Sequence, residues 1–385
     1  MKTKSLFLFI LVLLFFVQCD TGNKEGKGQD SEKVAEQPDT LKGKFYKHYF
    51  GKVGKEDAVF NLHCNDGWLK GNCYLKNSGR MYELMNYRRY DSTAHYIFYA
   101  ELVGKMGENN DDSLEITFFK NGKMDGIWFT KGGEKGITGK EDYDHGSYMF
   151  TPLEINDSLE LDTGNLSNDA TISYALLQLD GQYEDVKTTM VTDGNAELLG
   201  CKHGIKIKGC IRQHIDSFLA DYRSSMYNML KETYSETNDY YENYDEYVNY
   251  NEKGIVSLEL VSSSYTGGAH GYYFSRFYNA DLQNNRRIIL SDAIKPDTIA
   301  LRAIIEAEAR RYFNIGKDTP LKAFLLVGTI PYTNNFYITG RGLVFSYAPY
   351  EIAAYVFGQV NILVPYDKLR NLLQPGFAKR IELSK

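Results

Sequence analysis

Short hydrophobic runs separated by turn residues fill the first third of the 385-residue chain. From Lys44 to about Asp144 the runs are broken by Gly, Asn and Asp and show no helical period. Runs of this length and composition are typical of β-strands. Two Asx-Gly steps, Asp66-Gly67 and Asn121-Gly122, supply the positive φ angles of tight hairpins. The sequence therefore predicts an antiparallel β-meander domain over residues 44–155.

The second half mixes helix and strand patterns. Apolar residues spaced i, i+3, i+4, i+7 predict an amphipathic helix over about 212–236, and a second helix over Ile299–Phe313 with Asp297 or Thr298 as its cap. Several runs read as strands: Thr171–Leu179, Gly204–Lys208, Ile255–Val261, Tyr272–Tyr278, Phe336–Thr339, Leu343–Tyr347 and Val360–Val364. Strands and helices in this order predict an α+β domain over 165–385, with a mixed or antiparallel sheet and two main helices.

The first residues form an export signal. Two lysines precede an apolar run of roughly a dozen residues from Leu6 to Val17, which is too short to span a bilayer of about 20 residues. Cys19 follows the run. We predict a lipoprotein signal peptide over 1–18, a lipid anchor on acylated Cys19, and a flexible tether over 19–43, because that stretch has almost no apolar residues. A plain secretory peptide with a chance cysteine is the alternative.

The net charge of the chain limits the classes of partner that it is expected to bind. Removal of residues 1–18 takes away Lys2 and Lys4, so the formal charge falls from −6 to −8. An acidic protein is a poor candidate for binding nucleic acid. We expect a cell-envelope protein held by lipid on the outer or the inner membrane, facing the periplasm or the surface, and we expect no cofactor.

Four cysteines follow the anchor, in two pairs spaced by nine residues: Cys64, Cys73, Cys201 and Cys210. An even number in an exported chain indicates disulfides. If Asp66-Gly67 forms a two-residue turn, Cys64 faces Leu69 and not Cys73. That pair then needs a bulge to form a bond, or stays as thiols. Neither pair has the C-x₂₋₄-C spacing of a zinc site.

One histidine lies in an unusual setting, Thr-Gly-Gly-Ala-His-Gly over residues 266–271. Serines precede His270, but the sequence has no G-x-S-x-G elbow and no H-E-x-x-H motif. The seven histidines are scattered singly. We predict no catalytic residue and no metal site. A binding loop and a purely structural turn remain open for His270.

Tyrosine is abundant, with 31 residues. One group repeats every third position and is interpreted as the core-facing stripe of a helical turn: Tyr241, Tyr244, Tyr247 and Tyr250. A second group flanks turns that contain Gly or Pro: Tyr265, Tyr272, Tyr350 and Tyr355. We expect the second group to be exposed, where a flat apolar ring with a hydroxyl suits sugar stacking and protein interfaces.

Spaced motifs carry a family resemblance. Residues 264–271 read Ser-Tyr-Thr-Gly-Gly-Ala-His-Gly, and 349–355 read Pro-Tyr-Glu-Ile-Ala-Ala-Tyr. With Asn279–Leu282 and Ile289–Asp292 between them, this order resembles the C-terminal domain of RsiV-type anti-sigma factors, which serve as lysozyme receptors. It also resembles the accessory region of PdaC-type peptidoglycan deacetylases. The relaxed box before Cys19 is similar to those of Bacteroidetes lipoproteins.

The resemblance covers roughly 165–375 and implies a domain that binds a wall-related ligand, either a lysozyme-like protein or a peptidoglycan fragment. The chain lacks the family's sigma-binding segment and transmembrane helix, so we expect no anti-sigma role. The candidate ligand-binding residues are Tyr265, Gly267, Gly268, His270, Tyr272, Pro349, Tyr350, Glu351 and Tyr355. We expect a binding protein and not an enzyme. The alternatives are a peptidoglycan-modifying hydrolase or deacetylase and a structural partner in an envelope complex.

Overall fold

A computed structural model describes residues 36–65, 68–86, 95–104, 112–144, 146–162, 167–202, 204–230 and 239–382. Eight antiparallel strands form a closed barrel in chain order, with the first strand paired to both the second and the eighth. The strands are β1 (Phe45–Val53), β2 (Glu56–Asn65), β3 (Trp68–Leu75), β4 (Arg80–Met85), β5 (His95–Leu102), β6 (Asp112–Phe118), β7 (Lys123–Thr130) and β8 (Gly133–Glu141). The predicted antiparallel domain is confirmed.

Alternation of side chains explains why the barrel has a packed interior. On β6, Leu114, Ile116 and Phe118 point inward and are buried, while the residues between them are partly exposed. An eight-stranded barrel is just wide enough for such side chains to fill. Tyr49 pairs with Glu141 in the register that closes the barrel.

A six-stranded sheet follows, in the order β14-β13-β12-β11-β10-β9. Its elements are β9 (Phe150–Asp162), β10 (Ser167–Leu179), α1 (Asp185–Leu198), α2 (Ile207–Leu230), β11 (Tyr240–Glu252), β12 (Ile255–Tyr265), β13 (Tyr272–Asp281) and β14 (Arg286–Ile288). Strands β10 and β11 are parallel and the other neighbours antiparallel. The parallel step needs a crossover, which contains α1 and α2. The predicted mixed sheet is confirmed.

The last part is a three-stranded sheet with one long α-helix and three short ones. Its elements are α3 (Leu290–Ala293), α4 (Thr298–Tyr312), β15 (Phe336–Ile338), β16 (Gly342–Tyr347), β17 (Val360–Pro365), α5 (Tyr366–Leu369) and α6 (Pro375–Arg380). Asp297 caps α4, because its carboxylate accepts from Ala300 N over 3.0 Å. The predicted helix, its cap and the predicted β15–β16 pair are confirmed.

Several boundaries differ from the predictions. The stripe Tyr241–Tyr250 lies on β11 and not on a helix, and the predicted strand at Gly204–Lys208 runs into the start of α2. The predicted domain boundary at 155 falls inside β9, which pairs with β10 and not with the barrel. The predicted tether includes Gln37–Asp39, but the backbone of these residues forms hydrogen bonds with the barrel near Phe118. Helix α1 is a third long helix beside the two predicted.

The two cysteine pairs have different states. Cys201 and Cys210 form a disulfide between α1 and α2. Cys64 and Cys73 are buried thiols, because Cys64 pairs with Leu69 across β2 and β3 and Cys73 pairs with Phe60. The second candidate disulfide is therefore not formed, and the alternative of two thiols holds. Burial raises the pKa of the Cys73 thiol, which keeps it neutral.

Polar side chains join the barrel to β11. The backbone N–H of Val248 donates to His63 Nε2 over 3.0 Å, and Asn72 Nδ2 donates to Asn249 O over 3.3 Å. Burial lowers the pKa of His63 to about 3, so the ring stays a neutral acceptor. Of the helices in the described ranges, none has the length and apolar character needed to cross a membrane. The predicted signal peptide and Cys19 lie outside the described residues.

Candidate functional site

Residues 266–271 form the loop between β12 and β13. Gly267 and Gly268 have φ angles of +95° and +99°, which glycine alone adopts readily. The Tyr265 hydroxyl donates to Gly268 O over 2.9 Å. Tyr265 and the two glycines therefore set the shape of the loop that presents His270.

The imidazole of His270 is exposed, and its Nδ1 lies 2.8 Å from the carbonyl oxygen of Gly271. A carbonyl oxygen only accepts hydrogen bonds, so Nδ1 carries the proton and the lone pair of the neutral ring is on Nε2. The ring is held by a backbone carbonyl and not by the carboxylate of a catalytic triad. His270 is thus arranged to accept a hydrogen bond from a ligand.

The turn after β16 presents a second aromatic ring. Pro349 is buried, and Glu351 accepts from Ala348 N over 2.8 Å through Oε2, so both residues build the turn. Tyr350 between them has a φ angle of +69°, which is unusual for a bulky side chain. The Tyr350 side chain is 52% exposed. Strain of this kind is often found where a side chain is needed for function.

The two turns meet in space. The rings of His270 and Tyr355 stack with centroids 4.2 Å apart, and the Tyr355 hydroxyl donates to Gly271 O over 2.7 Å. Tyr350 lies 5.4 Å from Tyr355 and 6.5 Å from His270. We call His270, Tyr350 and Tyr355 the aromatic patch. It joins residues some eighty positions apart in the sequence.

The remaining candidate tyrosines line the hairpin beside the patch. Tyr265 faces Tyr241 across β11 and β12 at 6.3 Å, and Tyr272 contacts Phe274 at 5.8 Å. Sequence reasoning missed Tyr273, whose hydroxyl accepts from Gln359 N over 3.3 Å. This contact ties β13 to the segment after Tyr355. Tyr273 is the third tyrosine of the same motif, after Tyr265 and Tyr272. Strand alternation places it on the opposite face of β13 from Tyr272, and this alternation was the signal in the sequence.

A second histidine forms a polar cluster on α2. His214 Nδ1 lies 2.7 Å from the Tyr174 hydroxyl, and His214 Nε2 lies 3.0 Å from Glu242 Oε2. Burial raises the pKa of Glu242, but hydrogen bonds from His214 and Tyr244 outweigh it and hold the carboxyl pKa low. Both imidazole nitrogens are engaged, so the cluster links helix to sheet and leaves no nitrogen for a substrate.

A concavity of about 480 Å³ lies between β13 and the start of α4, lined by Phe277, Ile289, Thr298 and Tyr332 among others. It is at the other end of β13 from the loop that carries His270. Within the described ranges, no three His, Cys, Asp or Glu side chains converge as metal ligands.

Two family models match the C-terminal half. Residues 165–273 match the family described as deacetylase PdaC, and residues 291–367 match a protein family of unknown function, DUF3298. The first match contains the His270 loop and the second contains Tyr350 and Tyr355. No curated protein matches the sequence significantly. The finer resemblance to RsiV-type proteins stays a prediction.

Two solved structures are similar to this chain. A DUF3298 family member from Bacteroides fragilis is 22% identical, with a TM-score of 0.54, over 61% of this chain and 98% of its own. A DUF3298 family protein from Pseudomonas aeruginosa is 18% identical, with a TM-score of 0.44, over 60% of this chain and 96% of its own. The C-terminal half therefore carries a PdaC segment followed by a DUF3298 segment, and over 61% of its length the chain shares the fold of the Bacteroides protein.

Proposed function

We propose that this protein is a lipid-anchored cell-envelope protein whose aromatic patch binds a wall-related ligand without chemically changing it. The ligand class is a lysozyme-like protein or a peptidoglycan fragment. Acylated Cys19 holds the chain on the membrane, and the β12–β13 loop faces the ligand. The observation that carries the proposal is the stacking of His270 on Tyr355 beside exposed Tyr350.

The chemistry of the patch suits both ligands. Tyrosine rings offer flat apolar faces with a polar edge, which bind sugar rings and form the centres of protein interfaces. The exposed His270 adds a hydrogen-bonding group next to those faces. The hydrogen bond from the Tyr355 hydroxyl to Gly271 O and the turn at Pro349 hold the rings before any ligand arrives, which reduces the entropy lost on binding.

A titration tests the proposal. Purified protein is titrated with a C-type lysozyme and, separately, with muropeptides, and heat release is measured. We expect saturable binding of at least one of the two. Absence of binding below millimolar concentration for both would remove the proposal.

The rival function is hydrolysis or deacetylation of peptidoglycan with His270 as the base. The family name of the 165–273 match, deacetylase PdaC, is the observation that favours it. Wall fragments are incubated with wild type and with His270→Ala, and released products are separated by chromatography. We expect no product from either protein. Product from wild type alone would establish the enzyme and overturn the binding-only account.

A further inference from the structure

One end of the barrel contains a cavity of about 450 Å³. Its walls include the apolar side chains of Val53, Leu75 and Leu102, each at the end of a barrel strand. Trp128 and Tyr82 lie at its base, with ring centroids 4.8 Å apart. A cavity of this size is in the range of small-molecule sites, and eight-stranded barrels are known to hold one small ligand.

Some inward-facing positions at this end hold charged side chains, beside the apolar ones named above. Arg80 precedes buried Tyr82 by two residues, and Lys135 precedes buried Ile137 by two, so both point inward by strand alternation. Lys131 also lines the cavity. Among the described residues of the lining, these three carry positive charge in a chain whose formal charge is −6.

The single acidic residue among those described in the lining is already engaged. Asp112 is buried and accepts from Trp128 Nε1 over 3.1 Å, which fixes the indole ring. Burial raises the pKa of Tyr82 and Arg80 partly offsets this effect, so the guanidinium lies near the Tyr82 hydroxyl. The described lining therefore carries three positive charges against one negative charge, and a predominantly positive cleft concentrates anions. The flat faces of the rings favour a planar apolar group.

We propose that the barrel mouth is a second binding site, for a small anion that carries an aromatic or other planar apolar group. The anionic end would pair with Arg80, Lys131 and Lys135, and the planar part would lie against Trp128 and Tyr82. This site is on the barrel, outside both segments that match family models.

The test uses three probes with the same ring system: 2-naphthoate, 2-naphthylmethanol and 2-naphthylmethylammonium. The chain has two tryptophans, so a Trp68→Phe background leaves Trp128 as the single indole reporter. Quenching of Trp128 fluorescence and calorimetry report binding. We expect 2-naphthoate to bind at least tenfold more tightly than the alcohol, and the ammonium compound to bind most weakly.

Two lysines of β8 provide matched variants. Lys135 points into the mouth, and Lys140, five residues on, points outward and pairs with Phe50. Lys135→Gln should weaken 2-naphthoate binding at least fivefold without affecting the alcohol, whereas Lys140→Gln should leave both unchanged. Lys135→Arg keeps the charge and should retain binding. Equal affinity for the three probes, no saturation below 5 mM, or equal effects of the two glutamine variants would each overturn the site.

Discussion

Glu246 on β11 is a carboxyl group held away from water. Its Oε2 accepts from Leu177 N over 2.6 Å, and its Oε1 has no hydrogen-bond partner among the residues that the structure describes. Burial raises its pKa to about 8. The folded state therefore keeps the Glu246 proton over a pH range in which the unfolded chain, with an ordinary pKa near 4.5, releases it.

This shift predicts a pH-dependent stability. The free energy of unfolding should fall as pH rises from about 4.5 to about 8, because only the unfolded state gains charge in that range. Glu246→Gln removes this slope, and at pH 8 and above it should be more stable than wild type by a few kcal/mol, roughly. Urea denaturation at several pH values measures it. Glu160→Gln, at an exposed position, is the control. A Glu246→Gln variant with the same pH slope as wild type would contradict the assignment of this slope to Glu246.

Residue-level sequence reasoning succeeded where a local rule decides the structure. The sequence offers Asp297 or Thr298 as the cap of α4, and Asp297 is the cap because its carboxylate accepts from the N–H of Ala300, three residues on. The contact of His270 with Tyr355 could not be predicted. It depends on where a hairpin loop and a turn after another sheet come to lie, and no local spacing encodes that.

At the level of elements, β11 shows why a pattern can mislead. Tyrosines at every third position fit a helical stripe, whereas on a regular strand successive members of the series fall on alternate faces. The register shifts between Val248 and Tyr250, so these two residues face opposite sides of the sheet, and each is buried in a different core cluster. Helix α1 is not predicted from the sequence, because its apolar pattern is too weak. The residues it buries are Val191, Gly194, Asn195 and Leu198, which make a weak apolar stripe.

The disulfide between α1 and α2 should stabilise this crossover. Cys201 and Cys210 close a short loop of sequence separation 9, for which chain entropy predicts about 2–3 kcal/mol. Replacing both with serine should lower the free energy of unfolding by that amount. Reduced wild type should behave like the double variant in chemical denaturation. Unchanged stability in both would show that the bond does not constrain the unfolded chain.

On the scale of the whole molecule, a buried amide holds the barrel against the six-stranded sheet. Asn251 Nδ2 donates to the Tyr46 hydroxyl over 2.9 Å and to Tyr148 O over 2.7 Å, and Asn251 Oδ1 accepts from Tyr148 N over 2.8 Å. Three hydrogen bonds are lost together in Asn251→Ala, and buried polar groups are left unpaired.

We expect Asn251→Ala to lose about 3 kcal/mol or more of stability. Denaturation followed by the fluorescence of Trp68 and Trp128, both on barrel strands, and by far-ultraviolet circular dichroism for the whole chain measures the effect. Asn284→Ala, at the exposed turn after β13, is the control, with a smaller expected loss. A loss below 1 kcal/mol in Asn251→Ala would contradict a structural role for this contact.

Chain-level features were predicted unevenly from sequence. The antiparallel strands of the barrel followed from short apolar runs and from Asx-Gly steps, of which Asn121-Gly122 lies between β6 and β7 and Asp66-Gly67 lies outside the described residues. The α+β class followed from element order. Barrel closure did not, because the pairing of β1 with β8 joins residues about ninety positions apart. Long-range pairing of this kind is decided by packing and not by local propensity.

The central claim is that the aromatic patch is one binding surface built from two distant segments. Its most direct test is the dissociation constant of lysozyme or muropeptide for wild type, His270→Ala, Tyr350→Gly and Tyr99→Ala. Tyr99 on β5 is as exposed as Tyr350, at 52%, and serves as the control. Glycine accepts the positive φ of residue 350, so the variant should fold.

We predict that His270→Ala and Tyr350→Gly each weaken binding at least tenfold, and that Tyr99→Ala has no effect. The double variant should lose less than the sum of the two single losses, because contacting residues are coupled. Absence of binding in wild type, or equal dissociation constants for all four proteins, would contradict the account.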